Sequence, residues 1–161
     1  MTTVKPMPSV ERYEEELNIG QRVGEMFAVA GLLLLASFFI LHQTRATGFF
    51  TDKFGTPEMF LFYAPLLFSL LDALVQVVTG DRHLARPFQA LSGLLMGLAA
   101  LWFLINFPFE FAHLPDVLPE GLRFLLAWIT NDLAKIPLVI QLIVGPITAL
   151  VALWRFFFSR R

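Results

Sequence analysis

The stretch MFLFYAPLLFSLLDALVQVV, residues 59–78, decides the fold. It is twenty residues long, apolar except for Ser69, Asp72 and Gln76, and carries one charge, Asp72. A helix rises about 1.5 Å per residue, so roughly 20 residues cover the ~30 Å hydrocarbon core of a bilayer. The run therefore reads as a membrane span. An ionisable side chain inside a span costs roughly 2.5–3.5 kcal/mol on insertion scales and is by default a candidate functional group. Asp72 is the residue on which a functional reading has to be built.

The whole chain agrees with that stretch. Of its 161 residues 57% are hydrophobic and 16% charged, against about 45–50% and ~25% in an average soluble domain. The formal net charge of −1 supplies no basic face for nucleic acid. There is no cysteine, which excludes disulfides, thiolate nucleophiles and metal sites built on sulfur. The first twenty residues carry Glu11, Glu14, Glu15 and Glu16 and lack the basic start and small-residue cleavage site of a signal peptide, so the first apolar run is expected to stay in the mature protein.

Working outward from 59–78, the sequence predicts an all-α integral membrane protein: four transmembrane helices in a bundle, over residues 23–41, 57–79, 87–107 and 136–155 of a domain covering 22–158. Thr56-Pro57-Glu58 opens the second span with a capping hydroxyl, a proline and an acid in the first turn. Pro65 and Gly145-Pro146 are expected kinks, and Pro87 the expected start of the third span. Residues 1–21 form an N-terminal segment in which Val10, Tyr13 and Leu17 recur at helical spacing, an amphipathic surface helix. A second interfacial helix is expected over 119–135, with Leu122, Leu125, Leu126, Ile129 and Leu133 on one face, Arg123, Asn131, Asp132 and Lys135 opposite, and Pro137 ending it. Residues 159–161 are a basic tail.

Four spans put both termini on one side. Lys5, Arg12, Arg22, Arg82, Arg86, Arg155, Arg160 and Arg161 fall on that side, against Arg45, Lys53, Arg123 and Lys135 opposite. The excess makes the termini cytoplasmic in a multi-pass protein of the cell membrane.

In the second span Pro65, Ser69, Asp72, Gln76 and Thr79 follow at steps of four and three, one stripe on one face. At the helical rise Asp72 lies about 10 Å inside the cytoplasmic interface. Glu25, Ala28, Gln89, Ser92 and Thr148 reach comparable depth, so Asp72, Glu25, Gln76, Ser69 and Ser92 are the candidate ion- or proton-binding residues. The spans offer Asp72 no basic partner at its own depth. It is either held protonated, donating to Ser92, Gln89 or Thr148, or ionised and sharing a proton or cation with Glu25, or met by Arg22, Arg82 or Arg86 reaching in from the interface.

Gly93 and Gly97 form a GxxxG extended by Ala100, and Gly20, Gly24 and Ala28 repeat the small-residue spacing in the first span. These are seams for packing within the chain or between copies. His42 and His113 both belong to the outer side and are the weak candidates for a metal or haem, helped by Glu110. The 18 phenylalanines, among them Phe49-Phe50, Phe107, Phe109, Phe111 and 156–158, read as interfacial anchors or, less directly, as a lipid or quinone pocket. No nucleophile elbow, zinc-protease helix or phosphate loop is present, so no catalytic residue is assigned and no cofactor is expected.

The leading functional expectation is a channel- or transporter-like protein handling protons or small cations at Asp72, with the lipid bilayer as its surroundings and a homo-oligomer as its expected state. The alternative is a non-catalytic accessory or assembly subunit of a larger membrane complex. The third reading is a membrane redox or lipid/quinone-binding protein.

Overall fold

The computed structural model describes residues 16–158. Most of the N-terminal segment expected as a surface helix, with Val10 and Tyr13, and the basic tail at 159–161 lie outside them; of that segment Leu17 is described, and it precedes the first helix. Four long helices dominate: α1 (Ile19–Thr44), α2 (Thr56–Thr79), α3 (Arg82–Asn106) and α4 (Asn131–Phe158). Each is long and apolar enough to cross a membrane, as expected of a multi-pass membrane protein.

Each helix starts where a local signal places it. Asn18 caps α1 by a reciprocal box: its side chain accepts from the Gln21 N–H at 2.9 Å, and the Gln21 side chain accepts from the Asn18 N–H at 3.1 Å. In α2 the cap is Gly55 and not Thr56, because Glu58 reaches back to accept from the Gly55 N–H at 3.0 Å. Asp81 caps α3 by accepting from the His83 N–H at 2.7 Å, so α3 begins five residues before Pro87 and carries that proline in its second turn. Gly80, at φ 70°, closes α2 in the left-handed conformation that glycine adopts without strain.

The interfacial α-helix expected over 119–135 is not formed. The segment contains a short 3-10 helix, Glu120–Leu125, and a turn, and α4 then starts at Asn131 and runs through Pro137 without a break. Thr130 supplies the cap, its hydroxyl accepting from the Leu133 N–H at 3.3 Å. Pro137 removes one ladder hydrogen bond, which a helix in apolar surroundings tolerates when its neighbours re-satisfy the freed carbonyl.

The helices pack in chain order: α1 on α2, α2 on α3, and α3 most extensively on α4. α1 and α4 form no comparable seam. The α3–α4 contact is made by backbone on backbone. A Cβ at Gly93 would stand 2.7 Å from the Gly145 carbonyl oxygen, one at Gly97 2.8 Å from Pro146 Cδ, and one at Gly145 2.6 Å from the Gly93 carbonyl oxygen. This is the close approach that small residues permit in apolar surroundings. Gly24 has nothing within 4 Å and Ala28 is exposed, so the small-residue spacing of α1 makes no seam within the chain.

At the end opposite the termini the loops close over the helices. Phe50 and Phe109 form an antiparallel bridge, with the Glu110 N–H donating to Phe49 O at 2.8 Å and the Thr51 N–H to Pro108 O at 3.0 Å. The Phe49, Phe103, Phe109 and Leu114 side chains are buried there with Phe39, Phe62 and Phe111 packed around them. Phe49 and Phe109 are therefore core and not interfacial anchors.

Candidate functional site

The α2 stripe predicted from the sequence is split by the structure into two layers. In the layer nearer the middle of the helices, Ser92 of α3 donates to the Pro65 carbonyl at 3.2 Å, and its oxygen lies 2.6 Å from the Ser69 hydroxyl. Because the Ser92 proton is used on Pro65, the Ser69 hydroxyl donates to Ser92. The carbonyl of Pro65 and both hydroxyls are thus satisfied among themselves. Ser92 is not the partner of Asp72.

One turn nearer the terminal end, Gln76 Nε2 donates to Asp72 Oδ1 at 3.1 Å, an i,i+4 bond along α2. Asp72 and Gln76 line a cavity of about 450 Å³ to which every helix contributes: Glu25 from α1, Arg82, Arg86 and Gln89 from α3, and Thr148, Val151 and Arg155 from α4. Glu25, Gln89 and Thr148 are the residues whose depth matched Asp72 in the sequence. Arg82 and Arg86, two of the arginines considered for Asp72, line the same space, and Arg155 is the addition: all three sit near helix ends in the sequence, and long side chains reach inward from there. Arg22, the third arginine considered for Asp72, is elsewhere. Its guanidinium donates to Val77 O at 2.5 Å and Val78 O at 3.3 Å, closing the C-terminal carbonyls of α2 where positive charge is favoured.

Beyond the serine layer the surroundings turn apolar. A second cavity of about 240 Å³ is lined by Leu35, Phe39, Phe62, Pro65, Leu66, Met96, Ala99, Ala100, Phe103 and Leu138, with Gln141 its polar member. Polar groups therefore line the terminal half of the molecule and aromatic rings the loop half, with Ser69 and Ser92 at the boundary.

Each histidine makes a hydrogen bond within the chain. His42 is fully buried, with Nε2 3.0 Å from Leu114 O and Nδ1 2.6 Å from Thr47 Oγ1. A carbonyl only accepts, so Nε2 carries the proton and Nδ1 accepts from the Thr47 hydroxyl, which leaves neither nitrogen for a metal. His113 Nδ1 meets Asp116 Oδ2 at 2.8 Å, and Glu110 accepts from Asn131 Nδ2 at 3.1 Å. Among the described residues no group of three His, Asp or Glu side chains could hold a metal ion. His83, which the sequence left as part of a charged turn, is buried, stacks on Phe156 and bonds its carbonyl through Nε2 at 3.2 Å, tying the start of α3 to the end of α4.

Two further contacts had no sequence signal. Trp102 Nε1 donates to Glu58 Oε1 at 2.9 Å, joining α3 to the first turn of α2. Asn131 bridges α4 to the loop, accepting from the Phe111 N–H at 2.8 Å while it donates to Glu110. Asp132 and Lys135 form an exposed i,i+3 pair at 2.9 Å.

Comparison with known proteins yields no match: no protein family, no curated protein and no solved structure shows significant similarity to the chain.

Proposed function

We propose that the chain is a small transporter- or channel-like protein of the cell membrane, with cytoplasmic termini, in which Asp72 is the proton-exchanging group of a cavity on the cytoplasmic side. One observation carries the reading: Asp72, inside an apolar span, lines a cavity of about 450 Å³ together with Glu25. A carboxyl serving only as interhelical glue would engage a neighbouring helix. The bond drawn to Asp72 comes from Gln76 on its own helix, and the hydroxyl nearest in kind, Ser92, is already used by Ser69 and Pro65.

Between a proton and a metal cation, the proton is favoured. Arg82 and Arg155 line the same cavity, and their charge opposes a metal cation there, whereas a carboxyl takes a proton into a covalent bond. Transfer to the other side requires rearrangement, because the aromatic chamber separates Asp72 from the loop end. α1, which packs on α2 and on the first 3-10 helix (Phe111–Val117) but forms no seam with α4, is the helix whose movement disrupts least packing.

The test is proton flux into proteoliposomes under an imposed potential, read with a lumenal pH dye, for the native chain and Asp72→Asn. The expected result is flux in the native protein, abolished in a variant that keeps its helical circular dichroism. Equal stability with no flux from either protein would sink the proton reading and leave the accessory-subunit reading in its place.

A further inference from the structure

We infer that the cavity around Asp72 binds a compact zwitterion, an ammonium joined by a short alkyl linker to a phosphate, as carried by an aminoalkyl phospholipid headgroup. This rests on the reading above only in taking Asp72 as a working group of that cavity.

Among the described residues, Glu25, Asp72, Arg82 and Arg155 line one space without pairing with one another. Glu25 of α1 and Asp72 of α2 stand on one side of the chemistry, Arg82 of α3 and Arg155 of α4 on the other. Among the described residues, Glu25, Arg82 and Arg155 enter no ion pair and no side-chain hydrogen bond, and the bond to Asp72 comes from neutral Gln76. Opposite charges near one another gain by pairing, the more so as they leave bulk water. Carried on separate helices and held apart, they are the complement of a molecule bearing both charges. A guanidinium matches phosphate oxygens in a forked geometry, and carboxylates accept from an ammonium with several N–H groups.

Size and access point to the lipid form of this chemistry. About 450 Å³ lies within the ~300–1,000 Å³ of small-molecule sites. Ile147 and Val151 line the cavity from α4 yet are 55% and 46% exposed, and α1 and α4 form no seam beside them. The cavity thus has a lateral way in. A headgroup can enter between α1 and α4 while its acyl chains stay outside among the apolar side chains. A free aminoalkyl phosphate reaching the cavity from the aqueous end is the other source of the same chemistry.

The test is native mass spectrometry of the full chain in detergent with phosphatidylethanolamine, phosphatidylglycerol and phosphatidylcholine at equal mole fractions, then with free phosphoethanolamine as competitor. Phosphatidylethanolamine should be retained in preference to the other two, which lack either the ammonium or its N–H donors. Glu25→Gln and Arg82→Gln should each reduce that retention about tenfold while circular dichroism stays native. Displacement by phosphoethanolamine would support a soluble zwitterion as the source, and retention that resists it would support the lipid. Equal retention of phosphatidylglycerol, indifference to both substitutions, or no binding of any of the four probes overturns the inference. Binding is read without flux, so the two readings fail separately: loss of lipid selectivity beside Asp72-dependent flux overturns this inference alone, and selective retention without flux overturns only the proton reading.

Discussion

Phe49 is 1% exposed, and its ring contacts those of Phe39, His42, Phe50, Phe109 and Phe111 at centroid distances of 4.9–5.6 Å. Aromatic pairs at such spacing add to the area they bury. Truncating a buried Phe typically costs about 3–5 kcal/mol, and Phe49→Ala is expected to lose stability in that range. Phe157, 66% exposed, supplies the control: Phe157→Ala should stay within about 0.5 kcal/mol of the native protein. Thermal unfolding in detergent reads both, and comparable losses would show that the aromatic cluster is not the core of the loop end. Nothing in the local sequence separates these two phenylalanines, since each lies in an aromatic run beside an apolar span. What distinguishes them is the Phe50–Phe109 bridge, a pairing across almost sixty residues that no helical or strand periodicity announces. His42 belongs to the same cluster and was hidden for the same reason, its partner Leu114 O lying 72 residues away. Zinc or a chelator should therefore leave the melting temperature unchanged, and a rise with zinc would contradict the assignment of both His42 nitrogens.

At the scale of elements, the length of nearly uncharged apolar runs located all four long helices, and small-residue spacing marked the α3 face that meets α4. Failures came where two signals competed. Over 119–135 the apolar spacing suited an α-helix, but Pro119 and Gly121 oppose one, while Thr130-Asn131-Asp132 offers a cap and an acidic first turn; the capped start at Asn131 is the one formed. Pro87 and Pro137 were read as boundaries because a proline lacks the N–H of the ladder, and in both helices an upstream cap overrides them. The glycine seam gives the sharpest stability contrast. A Cβ at Gly93 would meet backbone of Gly145 and Ala149 at 2.7 and 3.1 Å, and backbone cannot rotate away. Gly93→Val should destabilise the protein by about 1–3 kcal/mol, the usual cost of overpacking. Gly24→Val, with nothing within 4 Å, should change the stability of a single chain little. Matched unfolding curves for the two variants would show that α3 and α4 can separate without loss.

At the scale of the whole molecule, the structure has a cavity lined by charged and polar side chains toward the termini and one lined by aromatic and aliphatic side chains toward the loops, and the two are expected to differ in hydration. The chain contains no cysteine, so a single introduced thiol reports its own surroundings without background. Gln89→Cys and Thr148→Cys line the charged cavity, whereas Met96→Cys and Leu66→Cys line the apolar chamber beyond the Ser69–Ser92 pair. Thiolates are the reactive form and need water to exist, so labelling follows hydration as well as access. With lysine and arginine concentrated on the side of the termini, a membrane-impermeant maleimide should modify Gln89→Cys and Thr148→Cys in inside-out vesicles and not in right-side-out ones. The chamber positions should resist it from both sides. Labelling of Gln89→Cys from the outside would reverse the orientation and with it the side proposed to supply a proton to Asp72. Labelling of Met96→Cys would show water passing the serine pair, making the path continuous through the aromatic half and removing the need for α1 to move.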